Sequence, residues 1–234
     1  MLNAHARIDL RRIGREGHPL LVIDDALALP EALIDQAIQA TFSRPDHTRY
    51  PGLNAPLPEA YSQVVMTALR PLLARGFGIP THLPLSFFGF FALATDPPEE
   101  LAPIQKIPHH DSVDPFRIAL VHYLCRGQTG GTGFFRHKAT GFEGVDARRR
   151  PVYVAHAGAE LKAATAQLTR HVTPETPNYE MIDQADIVFN RLIVYRSHVL
   201  HAGLLDKATL SDDPAAGRLT ANSFIEVDRR PKAR

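Results

Sequence analysis

The stretch "IPHHDS", residues 107–112, sets two histidines and an aspartate in succession behind a proline. In an extended chain, side chains alternate between two faces. His109 and Asp111 then project together, and His110 points away. One imidazole and one carboxylate at a single spot are two ligands for a divalent metal, and a facial set needs a third. "RLIVYRSHVLHAGLL" (191–205) offers His198 and His201. Arg196-Ser197 begins a turn after a buried strand, and His201 opens the next strand beside Ala202 and Gly203, which leave room at a metal. His201 is therefore favoured. Two histidines and a carboxylate leave three octahedral positions open, the arrangement of non-haem iron(II) centres that work on oxygen. An H-x-D pair also arises by chance in a chain with 12 histidines, so its company decides the case.

Seventeen residues beyond His201 comes "GRLTANSFIE" (217–226). Arg218 and Thr220 share one face of a predicted strand, and Asn222 continues it. A guanidinium clamps a carboxylate through two parallel hydrogen bonds, and a hydroxyl can add a third. Tyr123, on "LVHYLC", is a further polar group on a predicted core strand. Its hydroxyl either reaches a bound anion or is satisfied within the core. His137, His156 and His171 are expected at the surface, and Phe87, Phe88, Phe90 and Phe91 in the core.

Positioning these groups requires a framework. "HPLLVIDDAL" (18–27) reads as a strand, and 29–42 and 57–78 as amphipathic helices, the second holding Pro71 and stopped by Gly76 or Gly78. Short aromatic and β-branched runs at 83–95, 104–111, 117–125 and 131–137 read as strands of a sandwich or barrel. Residues 137–177 read as an insertion with a helix over 158–170, and strands resume at 179–203 and 217–227. The order gives an α+β fold with one β core. The expectation is a single domain over 1–234, with 18–80 mainly helical support and strands in 83–136 and 178–228.

Composition narrows the functional classes. A net charge of +1 over 234 residues creates no field for nucleic acid or an anionic membrane. Cys125 is the only cysteine, which excludes an intramolecular disulfide and a cysteine-rich zinc site. No apolar run approaches a membrane span, and the start lacks the apolar core of a signal peptide. The expectation is a cytoplasmic protein that binds neither nucleic acid nor membrane.

In order, His109-x-Asp111, "GGTGFF" (130–135), the distal "LHAG" with His201, and "GRLT" with Arg218 and Thr220 resemble the signature of Fe(II)/2-oxoglutarate-dependent dioxygenases. The likeness is to the prolyl-hydroxylase-like branch and its bacterial relatives, and it spans residues 18–227. It implies a double-stranded β-helix, or jelly roll, with N-terminal helices packed on one sheet. It implies iron(II) held by His109, Asp111 and His201, and 2-oxoglutarate as co-substrate. Arg218, Thr220, Asn222 and Tyr123 are then the residues toward the co-substrate. The implied reaction is hydroxylation of a C–H bond of a small-molecule or peptidyl substrate, with release of succinate and CO2. Halogenating relatives lack the carboxylate ligand, so Asp111 points to oxygen transfer. The chain departs from the branch at Thr132-Gly133, where relatives often read Glu-Thr, and in 137–177, which is longer than the usual connection and reads as a lid or substrate segment. A non-catalytic jelly roll, or a cupin-like metalloprotein that takes no 2-oxoglutarate, is the rival reading. The sequence names no oligomeric state, and a homodimer stays open.

Overall fold

The computed structural model describes residues 3–46 and 50–229. Its elements in chain order are β1 (Arg7–Ile13), β2 (His18–Asp24), α1 (Pro30–Gln39), β3 (Gly52–Pro56), α2 (Glu59–Phe77), β4 (Leu85–Ala94), β5 (Ile118–Tyr123), β6 (Gly131–His137), α3 (Arg150–Ala164), β7 (Tyr179–Asp186), β8 (Arg191–Arg196), β9 (His201–Leu204) and β10 (Leu219–Val227). Seven strands form one sheet in the order β1-β2-β8-β5-β10-β4-β3, and three form a second in the order β7-β6-β9. Every pairing is antiparallel. The α+β class expected from the sequence is the one observed.

Strand alternation sorts the large sheet's side chains into two cores. Leu21, Ile23, Leu120, Val194 and Ile225 meet α1 and α2 in one buried cluster. In α2 the contributing residues Tyr61, Val65, Leu69 and Leu73 recur every four positions, the stripe of an amphipathic helix. Pro71 lies within the helix without ending it, and Gly78, at φ 64°, supplies the left-handed cap that does. The intervening residues Leu20, Val22, Ala119, Tyr123, Ile193 and Tyr195 point the other way, onto Phe134 and Ala185 of the small sheet. The outer face of the small sheet, with Phe135, Ala202 and Leu204, is covered by Tyr153 and Ala157 of α3. The layers therefore run helices, large sheet, small sheet, α3.

Residues 18–80 carry α1 and α2 and also β2 and β3, which join the large sheet, as does β1 ahead of them. Two sequence expectations change. Residues 104–111 are not a strand. Pro103 opens a 3-10 turn over Pro103–Lys106, and only His109 makes a bridge beyond it. The insertion helix starts at Arg150, not 158.

Candidate metal centre

The H-x-D segment is held by backbone, not by a regular strand. His109 N donates to His201 O at 2.9 Å and His201 N returns the bond to His109 O at 2.8 Å. This isolated antiparallel bridge sets the two imidazoles side by side, with ring centroids 4.5 Å apart and planes tilted by 52°. Asp111 N donates to Ser197 O at 2.9 Å, which ties the carboxylate to the turn just before His201. His109 sits in the bridge and Asp111 in a bend, so these main-chain bonds, not a regular strand, bring the two side chains together.

The three ligand atoms converge. Asp111 Oδ1 lies 3.6 Å from His109 Nε2, and Asp111 Oδ2 lies 3.4 Å from His201 Nε2. One ligand atom from each residue falls within 4.8 Å of the other two, a spacing that could hold a metal ion. His201 Nδ1 faces Val199 O at 2.9 Å. That contact makes Nδ1 the donor and leaves Nε2 as a lone pair aimed at Asp111, the orienting bond that metal-binding imidazoles use. Burial pushes the His201 ring down to about 4, so it is neutral, as a ligand must be. Burial alone would raise the Asp111 carboxyl, but the two imidazoles and Arg117 outweigh it and hold it below the usual range. His109 has about half its side chain exposed (54%), whereas His201 retains 7%. The metal position is therefore open to the cavity on one side.

That cavity encloses about 780 Å³ and runs from between the sheets, past the three ligands, to α3. Arg218 lines it near the small sheet. The guanidinium is 4% exposed, its Nε has no hydrogen-bond partner, and one terminal nitrogen donates to Gly131 O at 3.3 Å. The Tyr123 ring lies beneath it at 5.7 Å. Among the described residues no carboxylate pairs with it. Buried arginines are ordinarily paired, and this one is not. Gly131 belongs to the Gly130-Gly131 pair, where a Cβ would fall 2.1 Å from Leu204 O or Ala185 O. The double glycine lets β6 enter between its neighbours and puts a carbonyl on Arg218.

The other sequence candidates fall in different places. Asn222 lines the cavity, and its buried Oδ1 has no hydrogen-bond partner. Thr220 lies on the same face, fully buried behind the lining, with its hydroxyl 3.5 Å from Ala92 O and beside Tyr50. Tyr123 is also behind the wall, its hydroxyl 2.7 Å from Thr132 Oγ1. His110 lines the cavity but is outside the three-ligand cluster, its ring 6.0 Å from Tyr153. His198 faces His18, 5.3 Å away, and is not in the cluster either.

Expectations for the remaining histidines and phenylalanines need correction. His137 is fully buried, between Glu160 Oε2 at 2.7 Å and Thr140 Oγ1 at 2.9 Å. His171 is buried against Asp96 O at 3.0 Å and lines the cavity. Only His156 of that trio is at the surface. Phe91 is core, but Phe88 is 61% exposed, and Phe88 and Phe90 both line the cavity. Arg117 was missed by sequence reasoning. Its parity with Ala119 and Val121, both on the cavity wall, is the signal that could have found it.

A second cluster, Glu16, His18 and Glu143, also has metal-compatible spacing. Its carboxylates are already engaged. Glu143 accepts from Arg15 N and Glu16 N, each at 2.9 Å, and from Arg136. Glu16 pairs with Arg149 at 2.7 Å. This cluster ties the β1–β2 turn to the segment before α3. It is a charge lock between loops.

Two β layers thus enclose a cavity lined by the cluster of two imidazoles and one carboxylate and by a buried arginine with no carboxylate partner among the described residues. The chain matches a family model over residues 4–225 and belongs to that family, DUF6445, a family of unknown function. No curated protein matches it. Among the described residues no helix is long and apolar enough to cross a membrane.

Proposed function

We propose that this protein is an Fe(II)- and 2-oxoglutarate-dependent oxygenase that hydroxylates a C–H bond. The observation that carries the reading is Arg218, a buried guanidinium with no carboxylate partner in the same cavity as the His109, Asp111 and His201 cluster. A metal-binding jelly roll that takes no dicarboxylate has no use for such a cation, and leaving it unpaired costs stability.

The strand pairings support the jelly roll of this reading. From β4 onward there are eight extended segments, counting the bridge at His109 as the second. The first pairs with the eighth (β4·β10), the second with the seventh (His109·β9), the third with the sixth (β5·β8) and the fourth with the fifth (β6·β7). That is one long hairpin rolled up, closed by β10·β5 and β6·β9, as a double Greek key requires. β1, β2 and β3 then extend the large sheet at its two ends.

The residues present fit the implied groups. Two imidazoles and a carboxylate are the donor set for iron(II) with three positions left open. When bound, iron(II) with 2-oxoglutarate supplies the chemistry that converts O2 and R–H into R–OH, succinate and CO2. The chain's own part is to orient and exclude. His201 keeps Nε2 toward the metal through its bond to Val199 O, Asp111 stays ionised, and Arg218 fixes the far carboxylate of the co-substrate with Asn222 beside it. Burial of Arg218 keeps water from competing for that carboxylate.

The test is an anaerobic titration of the full chain with Fe(II) and then 2-oxoglutarate. A weak visible charge-transfer band on adding the second ligand is expected. Iron binding without that band would favour a metalloprotein that does not use the diacid.

A further inference from the structure

We infer that the substrate oxidised at this site is an organic anion with an apolar body, its carboxylate held by Arg117. The inference rests on the oxygenase reading and names the substrate class for the same cavity.

Charge comes first. Among the described residues the ionised side chains lining the cavity are Arg117, Arg150 and Arg218 against a single carboxylate, Asp111. Iron(II) and 2-oxoglutarate carry equal and opposite charge, so binding both leaves the excess of two positive charges in place. A neutral substrate would leave it uncompensated in a partly enclosed space, and a cation would add to it. An anion relieves it.

Position comes next. Arg218 immediately precedes β10, and Arg117 immediately precedes β5. The β10–β5 register pairs Ile225 with Ile118 and Thr220 with Tyr123, which puts the two arginines toward opposite ends of the paired strands. His201 lies between them, because its ring packs on Tyr195, which pairs with Ala119. If the co-substrate runs from the metal to Arg218, it occupies that side alone. Arg117 is left on the other side, lining the same cavity as Asp111.

Arg117 is also under-used. Its Nε is buried with no hydrogen-bond partner, and the guanidinium stacks on Phe224 at 4.6 Å. The closest carboxylate is Glu226 at 3.7 Å, itself 63% exposed and therefore weakly coupled. Stacking fixes the plane of the fork and leaves its edge for a carboxylate. Arg150, exposed on the first turn of α3, lines the mouth as a second cation.

The remaining wall sets the body of the substrate. Phe88, Phe90, Ile104, Val154 and Leu161 line the outer cavity, and Phe88, Ile104 and Val154 are exposed to solvent there. Exposed apolar groups rimming a cavity mark a site for an apolar ligand. α3 and Val172 make residues 137–177 a wall of this chamber, so the insertion shapes the substrate end.

Calorimetric titration of the full-length protein tests this, anaerobically and loaded with Fe(II) and 2-oxoglutarate. The probes are decanoate and 3-phenylpropanoate, each against its primary amide. At least one carboxylate is expected to bind about tenfold or more tighter than its amide, a difference of about 1.4 kcal/mol. Arg117→Gln should abolish that preference with 2-oxoglutarate affinity unchanged, and Arg117→Lys should keep part of it. Circular dichroism of both variants checks the fold. Equal binding of acid and amide, binding of neither acid, or a preference that survives Arg117→Gln overturns the inference. The same titration on Arg218→Gln without 2-oxoglutarate separates the two readings. Carboxylate preference there with no 2-oxoglutarate binding by wild type would sink the co-substrate and leave the anion site standing.

Discussion

Replacing Arg218 by Met should stabilise the ligand-free protein and destroy its response to 2-oxoglutarate. An arginine carries five N–H donors, and among the described residues its one protein hydrogen bond at this position is a 3.3 Å contact to Gly131 O. Methionine keeps much of the length, removes the charge and can pack on Tyr123. Exchanging buried charged groups for apolar ones of similar volume is neutral to stabilising by about 1–4 kcal/mol. We expect about 1–3 kcal/mol here, since the Gly131 contact is lost. In a chain of this size each kcal/mol moves Tm by about 2–4 °C, so Tm should rise by about 2–12 °C. The same change strands the far carboxylate of the co-substrate, at a cost of about 2–5 kcal/mol. That corresponds to roughly 30-fold to several-thousand-fold weaker binding. Differential scanning calorimetry with and without 2-oxoglutarate, on metal-loaded protein, reads both effects. Wild type at about 100 times its dissociation constant gains about 2.7 kcal/mol, and the variant at that concentration gains at most about 0.9 kcal/mol. A variant that melts below wild type and binds 2-oxoglutarate equally well would make Arg218 a structural cation and refute the reasoning.

Three further outcomes are expected. His109→Ala, Asp111→Ala and His201→Ala should each lose bound iron in metal analysis, while His110→Ala and His198→Ala retain one ion per chain; iron loss in His110→Ala with retention in His109→Ala would reverse the ligand assignment. His122 is buried with Nδ1 3.2 Å from Tyr61 Oη and Nε2 3.1 Å from Asn190 Oδ1, and burial pushes it down to about 4, against about 6.5 in the unfolded chain. The unfolded state therefore takes up the proton first as pH falls, so stability is whole above 6.5 and drains away between 6.5 and 4, by about 3 kcal/mol from this residue; urea melts of His122→Gln should show a shallower acid loss, and an unchanged slope would remove His122 from the account. Glu143→Ala should cost about 1–3 kcal/mol by leaving Arg15 N and Glu16 N without their acceptor, while Arg136 keeps Glu180 at 2.7 Å, and metal stoichiometry should not change; a lost metal equivalent would show that the second cluster holds an ion after all.

The site was more legible in the sequence than the framework around it. The H-x-D pair, the distal His201 and Arg218 needed only alternation and the room left by small neighbours, and both survive irregular backbone. The strand proposed for 104–111 failed because Pro103 and Pro108 cannot donate to a ladder, yet main-chain bonds to His201 and Ser197 were enough to bring His109 and Asp111 together. β1 escaped notice because "RIDLRRI" puts arginines and an aspartate around Ile8 and Leu10, as charged edge strands do. β3 is short, at the opposite edge, and ends in Pro56. His137 and His171 were read as surface because polarity is the only local signal for burial. Glu160 lies 23 residues beyond His137, and Asp96 lies 75 before His171. No window of sequence joins such pairs.

The cavity's charge follows from where its groups originate. Asp111 and the two imidazoles come from the seam at β9, locked by main-chain bonds that no side-chain substitution removes. The arginines come from other elements: Arg218 and Arg117 from the starts of neighbouring strands in the large sheet, and Arg150 from the insertion. In the proposed reading the co-substrate links the seam to the large sheet, and the substrate links the large sheet to the insertion. Each anion then neutralises a cation that the fold leaves without a buried carboxylate: Arg218 has none among the described residues, and Arg117 has only the exposed Glu226 at 3.7 Å. The fold tolerates the cost of these cations because three packed cores carry its stability, and the arginines lie at the margin of the one between the sheets. Moving a carboxylate into that margin would stabilise the empty protein and occupy the place its ligands need.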